Sequence, residues 1–174
     1  VDGVVDTKWN DETATLLGIE TEGKSSSGTS FKTLWDNKYL YVLVDVVDKE
    51  LNNASENPWE QDSIEIFIDQ NNEKSTSYQQ DDAQYRVSYT NFVTFNGGDQ
   101  DGFKSAVSLT EQGYMVEVAV PISYIEMKPG QVIGFDVQIN NADSSGSRVG
   151  VRNWANSTNL GYQDTSDFGL LKFD

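Results

Sequence analysis

The chain has 174 residues and a formal net charge of −16, because 28 acidic residues face 12 basic ones. A field of this sign repels phosphates and anionic lipids, which argues against nucleic acid and membrane surfaces as partners. Cysteine and histidine are both absent, so cysteine nucleophiles, Ser-His-Asp triads, disulfides and histidine-based zinc sites are excluded. Hard, oxygen-preferring metals remain, calcium above all.

The chain length suits a single domain, in which folding buries roughly 70 % of the surface that the unfolded chain exposes. No internal repeat and no Pro- or Thr-rich linker divides the sequence. We therefore expect residues 1–174 to form one module. Because the chain begins at Val1 without an initiator Met or a signal peptide, we expect it to be cut from a longer protein.

Apolar residues alternate with polar ones in many short segments, the pattern of half-buried β-strands. The runs are Leu40, Val42, Val44 and Val46; Ile64, Ile66 and Ile68; Tyr85, Val87 and Tyr89; Val116, Val118 and Val120; and Ile133, Phe135, Val137 and Ile139. This all-β pattern predicts a β-sandwich of two antiparallel sheets, immunoglobulin-like or jelly-roll-like. An eight-stranded barrel is the alternative. The glycine-containing loop 96–102 has no GK[ST] sequence and is predicted to connect a hairpin.

The register of these runs assigns polar side chains to the outer face of a sheet. If the isoleucines after position 63 face the core, Glu65 and Phe67 face outward. By the same argument, Arg86 faces outward from the run that begins at Tyr85. Asp136 and Gln138 face outward from the run that begins at Ile133. Together Glu65, Arg86 and Gln138 offer a carboxylate, a guanidinium and an amide, which suits a polyhydroxylated ligand. The alternative is a solvated salt bridge between neighbouring strands.

Trp59 lies in an unusual place for an indole, within the polar sequence NPWEQD just before the strand that carries Glu65. Its ring could form a flat apolar wall above the polar side chains of that strand. The alternative is an aromatic folded over the edge of the sandwich. Trp9 and Trp35 are predicted to be core residues, and the sequence leaves Trp154 ambiguous.

Four oxygen-bearing residues occupy the two ends of the loop after the Ile68 strand. They are Asp69, Asn71, Asp81 and Asp82. Calcium prefers such ligands, although the spacing is not that of an EF-hand. The sequence therefore predicts a structural calcium site here.

Several motifs together resemble the family-9 carbohydrate-binding modules, which are attached to secreted xylanases and related plant-cell-wall hydrolases. They are NPWEQDSIEIFID (57–69), DDAQYRVSY (81–89), VIGFDVQIN (132–140) and RVGVRNW (148–154). The likeness runs from VDGVVDTKW at the start to SDFGLLKF at the end. It implies a β-sandwich without enzymatic activity that binds glucose, cellobiose, xylobiose and the reducing ends of cellulose and xylan chains. It also implies bound calcium, an extracellular location and a monomeric module tethered to a catalytic domain.

The resemblance further implies that the terminal sugar lies between two aromatic rings. The first ring is Trp59, and the polar contacts fall on Glu65, Arg86, Gln138 and Asn159. At the position of the second ring the family resemblance calls for tryptophan, but this chain has Tyr162. A phenol offers less stacking area than an indole, so we expect a lower affinity for the sugar or a shifted ligand preference.

Two other functions remain open from the sequence. A small glycosidase would need two carboxyl groups across a cleft, one of them holding a proton, whereas Arg86 beside Glu65 favours the ionised carboxylate. A calcium-dependent adhesion module would instead use its acidic loops at an interface.

Overall fold

The computed structural model describes residues 1–174 and contains two 3₁₀ helices and twelve β-strands. The helices are Thr7–Asp11 and Pro58–Glu60. The strands are β1 (Thr15–Leu16), β2 (Ile19–Gly23), β3 (Ser30–Trp35), β4 (Tyr39–Val47), β5 (Ser63–Asp69), β6 (Asp82–Ser88), β7 (Val93–Gly97), β8 (Lys104–Leu109), β9 (Gly113–Pro121), β10 (Val132–Ala142), β11 (Arg148–Asn153) and β12 (Gly169–Lys172). Neither helix has the length and hydropathy needed to cross a membrane.

The strands form two antiparallel sheets that pack face to face. One has five strands in the order β1-β3-β4-β9-β8; the other has seven, in the order β2-β11-β10-β5-β6-β7 with β12 also paired to β10. The predicted sandwich is confirmed, and the barrel alternative is wrong because both sheets end in edge strands. The prediction of a hairpin at 96–102 is also wrong: β7 and β8 belong to different sheets, so this loop crosses between them.

One cluster of 23 buried residues fills the space between the sheets. It contains the alternating apolar residues of β4, β5, β9 and β10, as their period of two predicts. Trp35 stacks on Phe173 beside this core, and Trp154 packs on Phe31, with ring centroids 5.2 and 5.5 Å apart respectively. Trp9 is buried elsewhere, in the first 3₁₀ helix, where its indole N–H donates to Glu117.

A long loop, residues 154–168, covers part of the outer face of the seven-stranded sheet. Phe67 and Asp136 point outward as their register predicts, yet both are buried beneath this loop. The Asp136 carboxylate accepts hydrogen bonds from the backbone N–H groups of Trp154, Ala155 and Asn156 at 3.1, 3.0 and 2.8 Å. A buried acceptor on β10 therefore fixes the point at which the loop leaves β11.

Contacts further along hold the loop against the sheet. The Tyr78 hydroxyl donates to the carbonyl of Gly161 at 2.6 Å. Gly161 lies directly on the Phe67 ring, where an added Cβ would be 3.3 Å from the nearest ring carbon. Absence of a side chain thus allows the backbone to approach the sheet closely enough for Phe67 to be covered.

Asp136 should make stability depend on pH. Burial raises the pKa of its carboxyl from 3.8 to about 6, although the loop amides oppose the rise. The folded state then binds more protons than the unfolded state between these values, so the contribution of Asp136 to stability is present at low pH and lost as pH rises through 6. At about 1.4 kcal/mol per pKa unit, the loss is about 3 kcal/mol.

Urea denaturation of wild type and Asp136→Asn at pH 4 and pH 8 measures this loss. We expect the free energy of unfolding of wild type, relative to that of Asp136→Asn, to fall by about 3 kcal/mol between pH 4 and pH 8. A constant difference would contradict a raised pKa for Asp136.

Candidate functional site

Strand register brings three of the predicted site residues into one row on the outer face of the seven-stranded sheet. Gln138 on β10 lies opposite Glu65 on β5, Glu65 lies opposite Arg86 on β6, and Arg86 lies opposite Thr94 on β7. Neighbouring strands are about 4.8 Å apart, so side chains in such a row are in mutual contact. The sequence prediction that Glu65, Arg86 and Gln138 share a face is confirmed.

Glu65 is the centre of this row and is only 2 % exposed. Its Oε1 accepts hydrogen bonds from Arg86 Nε and Asn140 Nδ2, both at 2.7 Å, and its Oε2 accepts one from Gln84 Nε2. Arg86 also donates from Nη1 to Thr94 Oγ1 at 3.0 Å. A buried charge is tolerated only when it is paired and hydrogen-bonded, and these donors meet that requirement.

Gln138 is held by the same network. Its Nε2 donates to Asn140 Oδ1 at 3.0 Å, and its Oε1 accepts a hydrogen bond from Asn153 Nδ2 at 3.1 Å. Asn153 in turn donates to Asp136 at 3.2 Å, which links the network to the anchor of the covering loop. The row is therefore a rigid polar floor whose side chains are oriented in advance.

Trp59 stands at one side of this floor, and its ring is 47 % exposed. It belongs to the 3₁₀ helix that begins at Pro58, whose fixed φ suits the first helical position. The polar neighbours hold the loop: Glu60 accepts a 2.5 Å hydrogen bond from Ser55 Oγ, and buried Asp62 accepts from the backbone N–H groups of Asn52 and Ala142. The polar sequence around the indole thus fixes the loop and leaves the ring free.

Tyr162 stands at the opposite side, on the loop anchored by Asp136. Its ring is also 47 % exposed. Its carbonyl accepts a 2.8 Å hydrogen bond from Asn96 Nδ2 at the end of β7. The two exposed rings therefore come from separate loops, each attached to the sheet independently.

A hydrogen-bonded bridge joins the two loops at the β2 side of the floor. Glu22 on β2 accepts from Arg148 Nη2 at 2.7 Å and from Asn159 Nδ2 at 2.9 Å. Arg148 also donates from Nη1 to the carbonyl of Trp59 at 3.3 Å. Asn159 has a φ of +56°, a left-handed conformation that asparagine tolerates better than most residues. This Glu22–Arg148–Asn159 bridge lies between the loop that carries Trp59 and the loop that carries Tyr162.

These elements enclose a cleft of about 490 Å³, within the range usual for small-molecule sites. All six predicted residues line it: Trp59, Glu65, Arg86, Gln138, Asn159 and Tyr162. Sequence reasoning missed the other six: Phe67 as a lining residue, Gln84, Thr94, Phe95, Asn96 and Arg148. Gln84 could have been found from its position two residues before Arg86 on one strand face. Thr94 and Asn96 required the pairing of β6 with β7, and Arg148 required the folded path of β11.

The cleft contains one carboxylate, that of Glu65. Glycoside hydrolysis by paired carboxylates needs a second acid across the cleft, and none of the other lining residues is acidic. The chemistry that remains is recognition. Two flat rings and a floor of hydrogen-bond donors and acceptors match a ligand with apolar faces and polar edges.

A separate acidic cluster lies at the ends of β5 and β6. Carboxylate oxygens of buried Asp69, Asp81 and Asp82 all lie within 4.8 Å of one another. Asp82 Oδ1 has no hydrogen-bond partner, and burial, with the nearby charges of Asp69 and Asp81, raises the pKa of Asp82 to about 6. Asn71, the fourth residue predicted for this site, donates from its backbone N–H to Asp81 at 2.9 Å. Three converging carboxylates with an orphaned oxygen fit a hard cation such as calcium.

Comparison with known proteins agrees with this architecture. The family described as "Carbohydrate family 9 binding domain-like" matches residues 1–174. Endo-1,4-beta-xylanase A of Thermoanaerobacterium saccharolyticum is 48 % identical over 98 % of this chain, and exoglucanase XynX of Acetivibrio thermocellus is 47 % identical over 98 %. The chain spans only 15 % and 16 % of the lengths of these two relatives.

A solved structure is also similar over nearly the whole chain. The family 9 carbohydrate binding module of Caldicellulosiruptor kristjanssonii, in complex with cellotriose, is 40 % identical and superposes with a TM-score of 0.94, covering 99 % of this chain and 87 % of that one. A family 9 module of the same organism in complex with glucose gives 38 % identity and the same TM-score, over 100 % of this chain and 90 % of that one. The chain belongs to the family 9 carbohydrate-binding modules and is a non-catalytic binding domain.

Proposed function

We propose that this module binds glucose, cellobiose, xylobiose and the reducing ends of cellulose and xylan chains, holding the terminal sugar between Trp59 and Tyr162. The observation that carries the proposal is the placement of two half-exposed rings on opposite sides of one charged floor. The two solved family 9 modules of Caldicellulosiruptor kristjanssonii, in complex with cellotriose and with glucose, support sugars of this class as ligands.

The chemistry of a pyranose explains the composition of the site. Its C–H faces are apolar and stack on aromatic rings, whereas each hydroxyl at its edge both donates and accepts hydrogen bonds. Glu65 supplies acceptors, Arg86 supplies donors, and the amides of Gln138 and Asn159 supply both. Because the floor is already ordered, binding costs little side-chain entropy.

The Glu22–Arg148–Asn159 bridge supports recognition of a chain end. A polysaccharide lying across the site from edge to edge would have to pass through this bridge. A terminal unit needs space on one side only. We therefore infer that the terminal ring lies with C1 toward this bridge, so that its C1 and C2 hydroxyls contact the bridge end of the charged floor and C4 points toward β7.

The relatives support a role in targeting a catalytic domain. Two of them are an endo-1,4-beta-xylanase and an exoglucanase, and this chain matches about one-sixth of the length of each. We propose that residues 1–174 act as one monomeric module tethered to a catalytic domain, outside the cell, and deliver that domain to plant-cell-wall polysaccharide.

Calorimetric titration with glucose, cellobiose, xylobiose and cellobiitol tests the proposed function. A disaccharide with about 23 non-hydrogen atoms at ~0.3 kcal/mol each gives ~7 kcal/mol, or a Kd on the order of 10 μM. We expect cellobiose to bind in that range and cellobiitol, whose terminal ring is opened by reduction, to bind at least tenfold more weakly. Equal affinities for cellobiose and cellobiitol would contradict reducing-end recognition, and absence of binding to all four sugars would contradict the function itself.

Replacing Arg86 tests whether the polar floor contributes to sugar affinity. Arg86→Ala removes a donor set and leaves the buried Glu65 carboxylate without its charged partner, so we expect the affinity for glucose to fall by about 2–4 kcal/mol. Arg152→Ala is the matched control, because Arg152 pairs with Glu20 at 2.6 Å but does not line the cleft. Calorimetry should show near wild-type affinity for the control. A loss below about 0.5 kcal/mol for Arg86→Ala would place that residue outside the sugar site.

We also propose that Asp69, Asp81 and Asp82 hold a structural calcium ion, with Asn71 as part of the same site. The ion would neutralise carboxylates that are crowded and buried, and would supply the missing partner of Asp82 Oδ1. It would lie at the far end of the strands that carry Glu65 and Arg86, so its role is to stabilise the sheet rather than to contact sugar.

Removal of calcium should lower the thermal stability of the protein. A ligand at 100 times its Kd stabilises a folded protein by about 2.7 kcal/mol, which corresponds to about 5–10 °C in Tm at this size. We expect EDTA to lower Tm by that amount, and Asp82→Asn to abolish the response. Asp45→Asn, which removes the same charge from an exposed position on β4, should keep it. If sugar affinity at low temperature vanished with calcium, the adhesion-type alternative, in which calcium contacts the ligand, would be favoured instead.

A further inference from the structure

We propose that the binding site continues beyond the cleft onto Phe92, which forms an outer subsite for the second or third unit of a β-linked glucan or xylan chain. Phe92 is 56 % exposed and does not line the cleft. The inference rests on the proposed function, because it assumes that the terminal sugar lies between Trp59 and Tyr162.

The direction in which a chain leaves the cleft follows from the sheet. The floor runs across the strands from Gln138 on β10 to Thr94 on β7. On the β2 side the Glu22–Arg148–Asn159 bridge closes the cleft. On the other side β7 is the edge strand, with no neighbour beyond it. A chain whose end occupies the cleft therefore leaves across β7.

Phe92 lies on that path. Val93, the next residue, pairs with Val87 and packs against the core, so Phe92 and Thr94 on either side of it face outward. The backbone N–H of Ser88 donates to the carbonyl of Phe92 at 3.0 Å, which places Phe92 one step beyond the last ladder pair. β5 and β7 are separated by two strand spacings, about 10 Å, a distance that one or two linked sugar units span.

Phe92 also continues the wall formed by Trp59. Ser88, opposite Phe92, pairs with Ser63, and Ser63 pairs with Asn140. Arg148 Nη1 lies 3.4 Å from Asn140 Oδ1 and 3.3 Å from the carbonyl of Trp59. Trp59 and Phe92 thus stand over the two ends of one row, on the same side of the floor. Successive sugars in an extended chain present apolar faces to both rings.

The turn that presents Phe92 is held firmly, as a stacking platform requires. The N–H of Phe92 donates to Ser88 Oγ at 3.1 Å, and the N–H of Tyr89 donates to the carbonyl of Asp62 at 3.1 Å. Ser105 Oγ on the other sheet donates to Asn91 Oδ1 at 2.7 Å. Since Asp62 also fixes the loop of Trp59, the two rings are tied to a common anchor.

The test compares Phe92→Ala with wild type in titrations of glucose, cellobiose, cellotriose and cellotetraose. Stacking on an aromatic ring is worth about threefold to tenfold in affinity. We expect cellotriose and cellotetraose to bind about threefold to tenfold more weakly to Phe92→Ala, with glucose affinity unchanged within twofold. Phe92→Trp should retain or increase the affinity for the longer ligands. Leu109→Ala, which truncates an exposed side chain on β8 of the other sheet, is the control and should match wild type throughout.

Two results would overturn the outer subsite. Unchanged affinity of Phe92→Ala for cellotriose and cellotetraose would show that no sugar stacks on the ring. An equal loss for glucose and the longer sugars would show that Phe92 supports the cleft rather than extending it. These results can be distinguished from failure of the proposed sugar-binding function, because the wild-type protein would then bind none of the four sugars.

Discussion

The buried carboxylate of Glu65 is the interaction on which the binding site depends. A charge placed on the outer face of a sheet and then removed from water is costly unless donors surround it. Here the donors come from both neighbouring strands, Arg86 and Gln84 on β6 and Asn140 on β10. Satisfying Glu65 therefore fixes the rotamers of its partners as well. The floor is rigid because its central charge leaves the surrounding side chains few other arrangements.

Two buried aspartates hold the loops that carry the aromatic walls of the cleft, Trp59 and Tyr162. Asp62 accepts hydrogen bonds from the backbone N–H groups of Asn52 and of Ala142 on β10, next to the Trp59 loop. Asp136 accepts hydrogen bonds from three consecutive backbone N–H groups where the Tyr162 loop begins. Burial raises the pKa values of both carboxyls, to about 7 and about 6. Part of the large acidic excess in the composition is thus internal. It anchors loops that would otherwise be free to move relative to the floor.

Alternation with a period of two was enough to predict the sandwich and the shared face of Glu65, Arg86 and Gln138, because strand register is a local property. The resemblance to a known family added Asn159 and Tyr162, which lie on a loop without periodicity. Neither source predicted that Phe67 and Asp136 would be buried on the outer face, since their cover comes from the loop 154–168, which lies at least 18 positions away in the sequence. The bridge from Glu22 to Arg148 and Asn159 was missed for the same reason: it joins three distant segments.

A binding site of this kind differs from an active site in whether its central carboxyl group can exchange hydrogen-bond partners. A general acid must release and recover a proton, which requires a carboxyl group whose partners can change. The Glu65 carboxylate instead accepts hydrogen bonds from Arg86, Asn140 and Gln84, which together hold it in one position. The same rigidity is useful for recognition, because a preorganised floor and two independently anchored rings need not be ordered when a sugar arrives. The network that makes Glu65 unsuitable for acid catalysis is therefore the one that prepares the cleft to select its ligand.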